Sequence, residues 1–408
     1  METLLPYVLD WANLLLRWLH VIVGIAWIGA SFYFVWLDNS LHAPVDPVLK
    51  AKGVGGELWA VHGGGFYNPQ KYLGSPPHMP ENLHWFYWEA YSTWLTGFGL
   101  FTVLYLFNAN TFLIDRNVFD MAPATGVMAA LAFLVVGWLV YDAICRVFGE
   151  REGGDRIVAL LVLVYVVGAT WVACHLFSGR AAFLIIGAML GTSMSANVFF
   201  WIIPGQRKVI ASMKAGEKPD PVHGQRAKQR SVHNTYFTLP VLFAMLSNHY
   251  SMTYTHPYNW AVLLLIMLAS VLIRQFFILK HKGVWNWNYP AAGVIILLGV
   301  AVWLAPAPQA AAPSVTPSAL TGASTPAVSV PVLSDIQPII AQRCVMCHNA
   351  QLTSKNIRLD TPESIQAQAQ LIYQQTVVLK TMPLNNATGI TDAERARLGR
   401  WFAAGAKP

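Results

Sequence analysis

The chain has 408 residues, 55% of them hydrophobic and only 12% charged, with a formal net charge of +7. A soluble globular protein carries about 25% charged residues, so this composition excludes one and points to a polytopic membrane protein. The basic excess would suit nucleic acid, but it collects in loops between apolar runs; the expected partner is a lipid bilayer, and no nucleic acid.

Eight apolar runs, 11–37, 85–107, 126–148, 157–177, 181–203, 235–254, 258–279 and 288–305, are long enough to span a membrane, at about 20 residues for ~30 Å of hydrocarbon. The first carries Arg17 and His20 and lacks a basic leader, so it reads as a span rather than a cleaved signal peptide. Loops 38–84, 146–156, 204–234 and 280–287 hold fifteen Lys and Arg, whereas the alternate loops hold only Arg116 and Arg180. The positive-inside rule then makes the first set cytoplasmic and places both termini outside. Cys145 and Cys174 lie in apolar segments and read as inert core thiols.

Ionisable side chains inside hydrocarbon are costly and face the bundle interior or a cavity. With this orientation His20, His175 and His249 fall in the outer half, and Asp38, His84, Glu89, Asp142, His233 and Arg274 toward the cytoplasm. His20, Gly24, Trp27 and Ser31 share a helical face. Two readings stand for the outer layer: a small-residue packing face with His20 hydrogen-bonded to a neighbour, or a haem b or metal held by a pair of His20, His175 and His249. In the inner layer, Arg274 beside Gln275 offers flat, forked hydrogen-bonding edges suited to a planar, amide-rich anion. The alternatives for Arg274 are snorkelling to the headgroups or an ion pair with Asp142. The 38–84 loop contains "GGELWAVHGGGFYNPQKY" (55–72), whose Gly63–Gly65 would let backbone approach a ligand and whose His62 is a candidate proton acceptor, with His84 and Asp142 as others. No phosphate-binding glycine spacing is present.

After the last run, residues 306–330 are an uncharged Pro/Ala-rich tether, followed by a small unit, 331–408. It opens with Cys344, Cys347 and His348 as C-x-x-C-H, the spacing that attaches a c-type haem: the thiols form thioethers and His348 faces the iron. Met382, in "LKTMPLNN" before the last helix, is the expected sixth ligand; a His/Met pair raises the potential of an electron acceptor. "TDAERARLGRWFAAG" (391–405) reads as the final helix, capped by Thr391 and Glu394. The unit resembles a class I cytochrome c, so the expected fold class is a polytopic α-helical membrane protein of about eight spans with a C-terminal all-α cytochrome c domain. One covalent haem c is expected.

"RWLHVIVGIAWIGASFYFVWLDNSL" (17–41), "GELWAVHGGGFYNPQKY" (56–72), "LHWFYWEAYSTWLTGF" (83–98) and "SVHNTYFTLPVLFAMLSNHY" (231–250) together resemble the bacterial membrane-bound, cytochrome-c-linked urate oxidase (urate hydroxylase) family. That resemblance implies hydroxylation of urate to 5-hydroxyisourate in domain 1–305, with two electrons leaving through haem c to a downstream cytochrome c or terminal oxidase. It also implies a multi-pass protein of the bacterial inner membrane with a periplasmic cytochrome domain. It assigns no catalytic residue in the membrane portion. A quinol-to-cytochrome-c subunit and a purine transporter or sensor carrying a cytochrome are the competing readings.

Overall fold

The computed structural model describes residues 4–305, 331–350, 357–378 and 380–408, so the tether at 306–330 lies outside the described residues. Helices occupy all eight apolar runs. They are α1 (Leu4–Ser40), α3 (Trp88–Phe101, prolonged by π turns Thr102–Leu106 and Ala109–Leu113), α4 (Pro123–Phe148) and α5 (Gly154–Leu176). After these come α6 (Gly179–Ala196), a π turn (Asn197–Ile202) leading into α7 (Ile203–Lys214), α8 (Pro221–Leu246), the short α9 (Ser251–Tyr254), α10 (Asn259–His281) and α11 (Asn288–Trp303). Among the described residues, five helical stretches are long and apolar enough to cross a membrane: Trp11–Ser40, Pro123–Phe148, Gly154–Leu176, Gly179–Lys214 and Asn259–His281. They fit a helical membrane protein. Trp18, Ile25, Leu160 and Leu163 stand exposed on the outside of these helices, as contact with lipid tails requires.

Two stretches differ from the sequence expectation. Residues 204–234 read as a polar loop, yet most of them are helical. Pro204 opens α7, and Asp220, accepting from the Val222 N–H, caps α8 with Pro221 at its first position. The run 235–254 is not one helix either: α8 ends at Leu246, and a 3-10 turn, Ser247–His249, precedes α9.

α6 is the axis of the bundle, buried on nearly every side and packed against α4, α5 and α8. Small residues let the backbones close. A Cβ on Gly137 of α4 would stand 2.5 Å from Met189 Cγ, and one on Gly187 would stand 2.7 Å from Ala244 Cβ of α8. α4 and α5 each bury one face, which includes Gly126–Ala130–Leu134 and then Tyr141, Asp142 and Cys145 on α4, and Val158–Val162–Val166–Thr170 on α5.

The 38–84 segment is an ordered ribbon rather than a bare connector. After α2 (Pro47–Ala51), strands β1 (Val54–Glu57) and β4 (Gln70–Tyr72) pair antiparallel, as do β2 (Ala60–His62) and β3 (Gly65–Tyr67). Lys71 of β4 ion-pairs with Asp38 at the end of α1.

The C-terminal helices α12 (Leu333–Arg343), α13 (Pro362–Ala367), α14 (Ala369–Ile372) and α15 (Asp392–Ala403) enclose a core of their own: Leu333, Ile336, Ile340, Ile365, Leu398 and Trp401. Thr391 caps α15, accepting from the Glu394 N–H, while Glu394 accepts from the Thr391 N–H. Arg343 of α12 ion-pairs with Glu394 at 3.1 Å, tying the first and last helices together.

Candidate functional site

α4, the π turn and α8 bring a set of polar side chains into the bundle. Asp142, 6% exposed, accepts from Arg230 Nη2 at 2.8 Å and from Trp201 Nε1 at 2.7 Å, and its other oxygen lies 2.9 Å from Arg146 Nε. Arg230, 2% exposed, lies over the rings of Tyr141 and Trp201, its guanidinium carbon 5.1 Å from each centroid. The π turn puts Asn197 and Trp201 on this face; such turns insert a residue into a helix and re-aim the side chains that follow.

A second chain of hydrogen bonds crosses the same face, and its directions follow from one carbonyl. The Met194 carbonyl can only accept, so Asn234 presents Nδ2 to it, at 3.0 Å. Asn234 Oδ1 therefore faces Asn197, which donates from Nδ2 at 2.9 Å. Asn197 Nδ2 also donates to the Tyr141 hydroxyl oxygen at 2.9 Å. The Tyr141 hydroxyl proton is left for His233 Nδ1, 2.8 Å away. Two atoms of this cluster are buried without a hydrogen-bond partner among the described residues, Arg230 Nη1 and Asn197 Oδ1.

A separate polar contact, three residues after His233 on α8, reaches α10. The Tyr236 hydroxyl donates to Gln275 Oε1. The neighbouring Arg274, 4% exposed, lies with its guanidinium carbon 4.0 Å from the centroid of Phe32 of α1. Its Nε and Nη2 are buried and unpartnered among the described residues. These two nitrogens form one edge of the guanidinium plane, the fork that grips a flat anion through two parallel bonds. Arg274 does not pair with Asp142, which is taken by Arg146 and Arg230.

The other sequence candidates lie apart from this face. His62 is exposed at the end of β2; Gly63 and Gly64 form the two-residue turn to β3 with φ of +58° and +80°. Positive φ at both positions is what a tight hairpin turn demands, and it accounts for these two glycines without a ligand. His84 is exposed, its ring edge-on to Phe86.

His20 Nδ1 lies 3.0 Å from the Thr93 carbonyl and 3.1 Å from Thr96 Oγ1 on α3. The glycine that makes room for its ring is Gly97, where a Cβ would stand 2.8 Å from His20 Cε1, rather than Gly24 on its own helix. His175 is exposed and stacked on Trp171, and His249 is exposed at the end of the 3-10 turn. Among the described residues, no group of three or more His, Cys, Asp and Glu is placed to hold a metal ion.

In the C-terminal unit, Cys344 and Cys347 are free, half-buried thiols directly after α12. His348 Nδ1 lies 3.1 Å from the Ile357 carbonyl. A carbonyl only accepts, so Nδ1 carries the proton and Nε2 keeps its lone pair for a metal, the arrangement that orients an iron-bound imidazole. Met382 is half-buried; its N–H donates to Gln375 O at 3.0 Å and its carbonyl accepts from Arg395 Nη1 at 2.9 Å. Two thiols at thioether spacing, a histidine with a free Nε2 and a thioether side chain in an anchored loop fit a covalently held haem with His/Met ligation. The 3-10 turn Leu384–Asn386, just past Met382, packs on the π turn Ala109–Leu113. A cleft of about 780 Å³ beside this contact is lined by Asp115, His175, Arg180 and Tyr254 from the bundle and by Lys380 and Arg395 from the C-terminal unit. Burial there raises the Asp115 carboxyl above its ordinary range, against hydrogen bonds from Asn117 and the nearby Arg395 charge.

Sequence reasoning missed Tyr141, Asn197, Arg230 and Asn234, and placed His233 in the inner layer without a role. The available signal was the four-residue step from Arg230 to Asn234 on a helix whose next turns are apolar. A comparison with protein families matches residues 6–305 to the model described as "Urate oxidase N-terminal". No curated protein and no solved structure matches the chain.

Proposed function

We propose, from the premise that the chain belongs to the urate oxidase N-terminal family, that it is a membrane-embedded urate oxidase whose electrons leave through its own C-terminal haem c. The carrying observation is Arg274: a guanidinium 4% exposed on an apolar helix, its Nε–Nη2 edge unpartnered. An unpaired buried charge is costly, so that edge calls for an anion. Urate is a flat anion with adjacent oxygen and nitrogen acceptors, and the Phe32 ring beside Arg274 extends an apolar, aromatic wall. Gln275, held by the Tyr236 hydroxyl, supplies an amide at the next position.

The stoichiometry follows from chemistry. Urate plus water gives 5-hydroxyisourate, two protons and two electrons, so the new oxygen comes from water and the electrons need a separate acceptor. A haem c held by Cys344, Cys347, His348 and Met382 supplies a one-electron acceptor, and each turnover needs it twice. The packing of the Met382 loop on the outer end of the bundle supports a route between the two parts. Helices at all eight runs and basic residues concentrated in alternate loops support eight spans, with both termini on the periplasmic side of a bacterial inner membrane and 331–408 as a cytochrome c domain behind the 306–330 tether. A soluble cytochrome c or a terminal oxidase would re-oxidise the haem.

The test is anaerobic. Oxidised, haem-loaded protein in detergent is mixed with urate while the visible spectrum is followed; the haem should become reduced as 5-hydroxyisourate forms. Reduction by quinol alone, with urate inert, would make the protein a respiratory relay. Urate binding without reduction would make it a transporter or sensor.

Met382→Ala should leave the haem attached through both thioethers but lower its potential, because the weak-field sulfur ligand is lost. Redox titration and the near-infrared methionine–iron band check this, and an unchanged potential and band would mean that another residue is the sixth ligand.

A further inference from the structure

We propose that Tyr141 and His233 form the relay that takes the proton from the water attacking urate, with that water held by Arg230 Nη1 and Asn197 Oδ1. The inference rests on the reading of the protein as a urate oxidase and adds residues that reading does not use.

Four observations carry it. The hydrogen-bond directions fixed from the Met194 carbonyl leave the Tyr141 proton on the line to His233 Nδ1, 2.8 Å away. A proton arriving at the Tyr141 oxygen is therefore matched by one leaving to His233 without any side chain turning. Second, Arg230 Nη1 is a donor and Asn197 Oδ1 an acceptor, both buried and unpartnered, on side chains that are 2% and 0% exposed. Both side chains adjoin Tyr141, Arg230 over its ring and Asn197 on its hydroxyl. A donor and an acceptor left open on one buried cluster are complementary to a water molecule, which takes part in both kinds of bond. Third, Asp142 is already held by three donors, Arg230, Arg146 and Trp201, whereas it is Tyr141 that adjoins both the open donor and the open acceptor. Fourth, His233 and Tyr236 are i, i+3 neighbours on one face of α8, their Cβ atoms ~5–6 Å apart, and Tyr236 holds Gln275, the residue next to Arg274 in sequence.

The step balances as follows. The water oxygen bonds to urate C5 as one water O–H bond breaks. That proton passes to the Tyr141 oxygen while the Tyr141 proton moves to His233 Nδ1, leaving an imidazolium. The second proton released is a urate N–H proton, and a haem c held by Cys344, Cys347, His348 and Met382 would take the two electrons one at a time, a ferric cytochrome c re-oxidising it between them. The charged or titratable groups around His233 are Tyr141, Asp142 and Cys145 of α4, Arg230 of its own helix and Asp155 at the start of α5.

The test uses full-length, haem-loaded protein mixed anaerobically with urate in H2O and in D2O, with added ferric cytochrome c as the acceptor for the second electron and urate affinity measured separately by calorimetry. In the unmodified protein the rate of haem reduction should be lower in D2O than in H2O, because the protons of the water and of Tyr141 move in the step. His233→Gln keeps a polar partner for Tyr141 but cannot take up the proton. Tyr141→Phe keeps the ring beneath Arg230 and removes only the hydroxyl. Each should slow reduction about 100-fold at neutral pH, leave urate affinity within about threefold and change the solvent isotope effect. If one variant does not fold, the other decides. Rates within about threefold of the unmodified protein with the isotope effect intact overturn the relay, and so does a loss confined to urate affinity. An unmodified protein that urate never reduces overturns the underlying reading and the relay with it, whereas an active one with unaffected variants overturns the relay alone.

Discussion

Arg274→Ala should lower kcat/KM for urate by about 10²–10⁴-fold while the haem spectrum of the resting protein stays unchanged. The magnitude follows from two hydrogen bonds to a charged group, each worth about 1.5–3 kcal/mol, at about 1.4 kcal/mol per factor of ten. Arg274→Lys separates charge from shape. It keeps a cation beside Phe32 but cannot present the Nε–Nη2 fork, so it should recover only part of the loss. The stability response should run the other way. Without a partner anion the buried guanidinium is a cost in the substrate-free protein, and Arg274→Leu should leave thermal stability equal or higher. Urate should correspondingly protect the unmodified protein against heat and leave the variants unprotected, since only a ligand that binds the folded state stabilises it. Activity of Arg274→Ala within about threefold of the parent would remove Arg274 from the substrate site and leave it a packing residue on Phe32.

What the sequence made legible divides by range. Signals that live within a few residues carried through: the Thr391–Glu394 cap and the apolar runs that became helices. The pairing of side chains from distant helices did not, because spacing along one helix says which face a residue occupies and nothing about what lies opposite. Asp142 and Arg274 were open as a pair from depth alone, yet Asp142 meets Arg230 from α8, in a segment whose seven basic residues looked like a solvated loop. Helix capping at Asp220 and Pro221 carries that segment into the bundle and buries Arg230. Asn197 was hidden for another reason: a π turn breaks the 3.6-residue period, so a polar residue after a small-residue helix reads as a helix end rather than as a side chain aimed inward. His20 shows the same limit. The reading of a hydrogen bond to a neighbour holds, with Thr93 and Thr96 as the partners, but the helix supplying the close glycine could not be read. Gly24 on its own helix satisfied the expected pattern, while the glycine that touches its ring is Gly97, from a different run.

The buried ion pair yields the second large effect. Asp142→Ala should destabilise the bundle by about 3–5 kcal/mol, the cost of leaving a desolvated charge unpaired. Arg230 would bear that cost, since its Nη2 contacts Asp142 and its Nη1 already lacks a partner among the described residues. Arg146, whose side chain is 63% exposed, can turn to water and loses little. The damage should therefore be repaired by removing the second charge. Asp142→Leu combined with Arg230→Met replaces the pair with apolar groups of similar bulk and should regain most of the stability, although it also removes the donor at Nη1 and should not regain activity. Thermal unfolding of the bundle, followed by tryptophan fluorescence in a fixed detergent, checks both variants, with the haem spectrum reporting separately on the C-terminal unit. A single variant that melts within about 1 kcal/mol of the parent, or a double variant no more stable than the single, would mean that water reaches Arg230 and that the pair is not sealed inside the bundle.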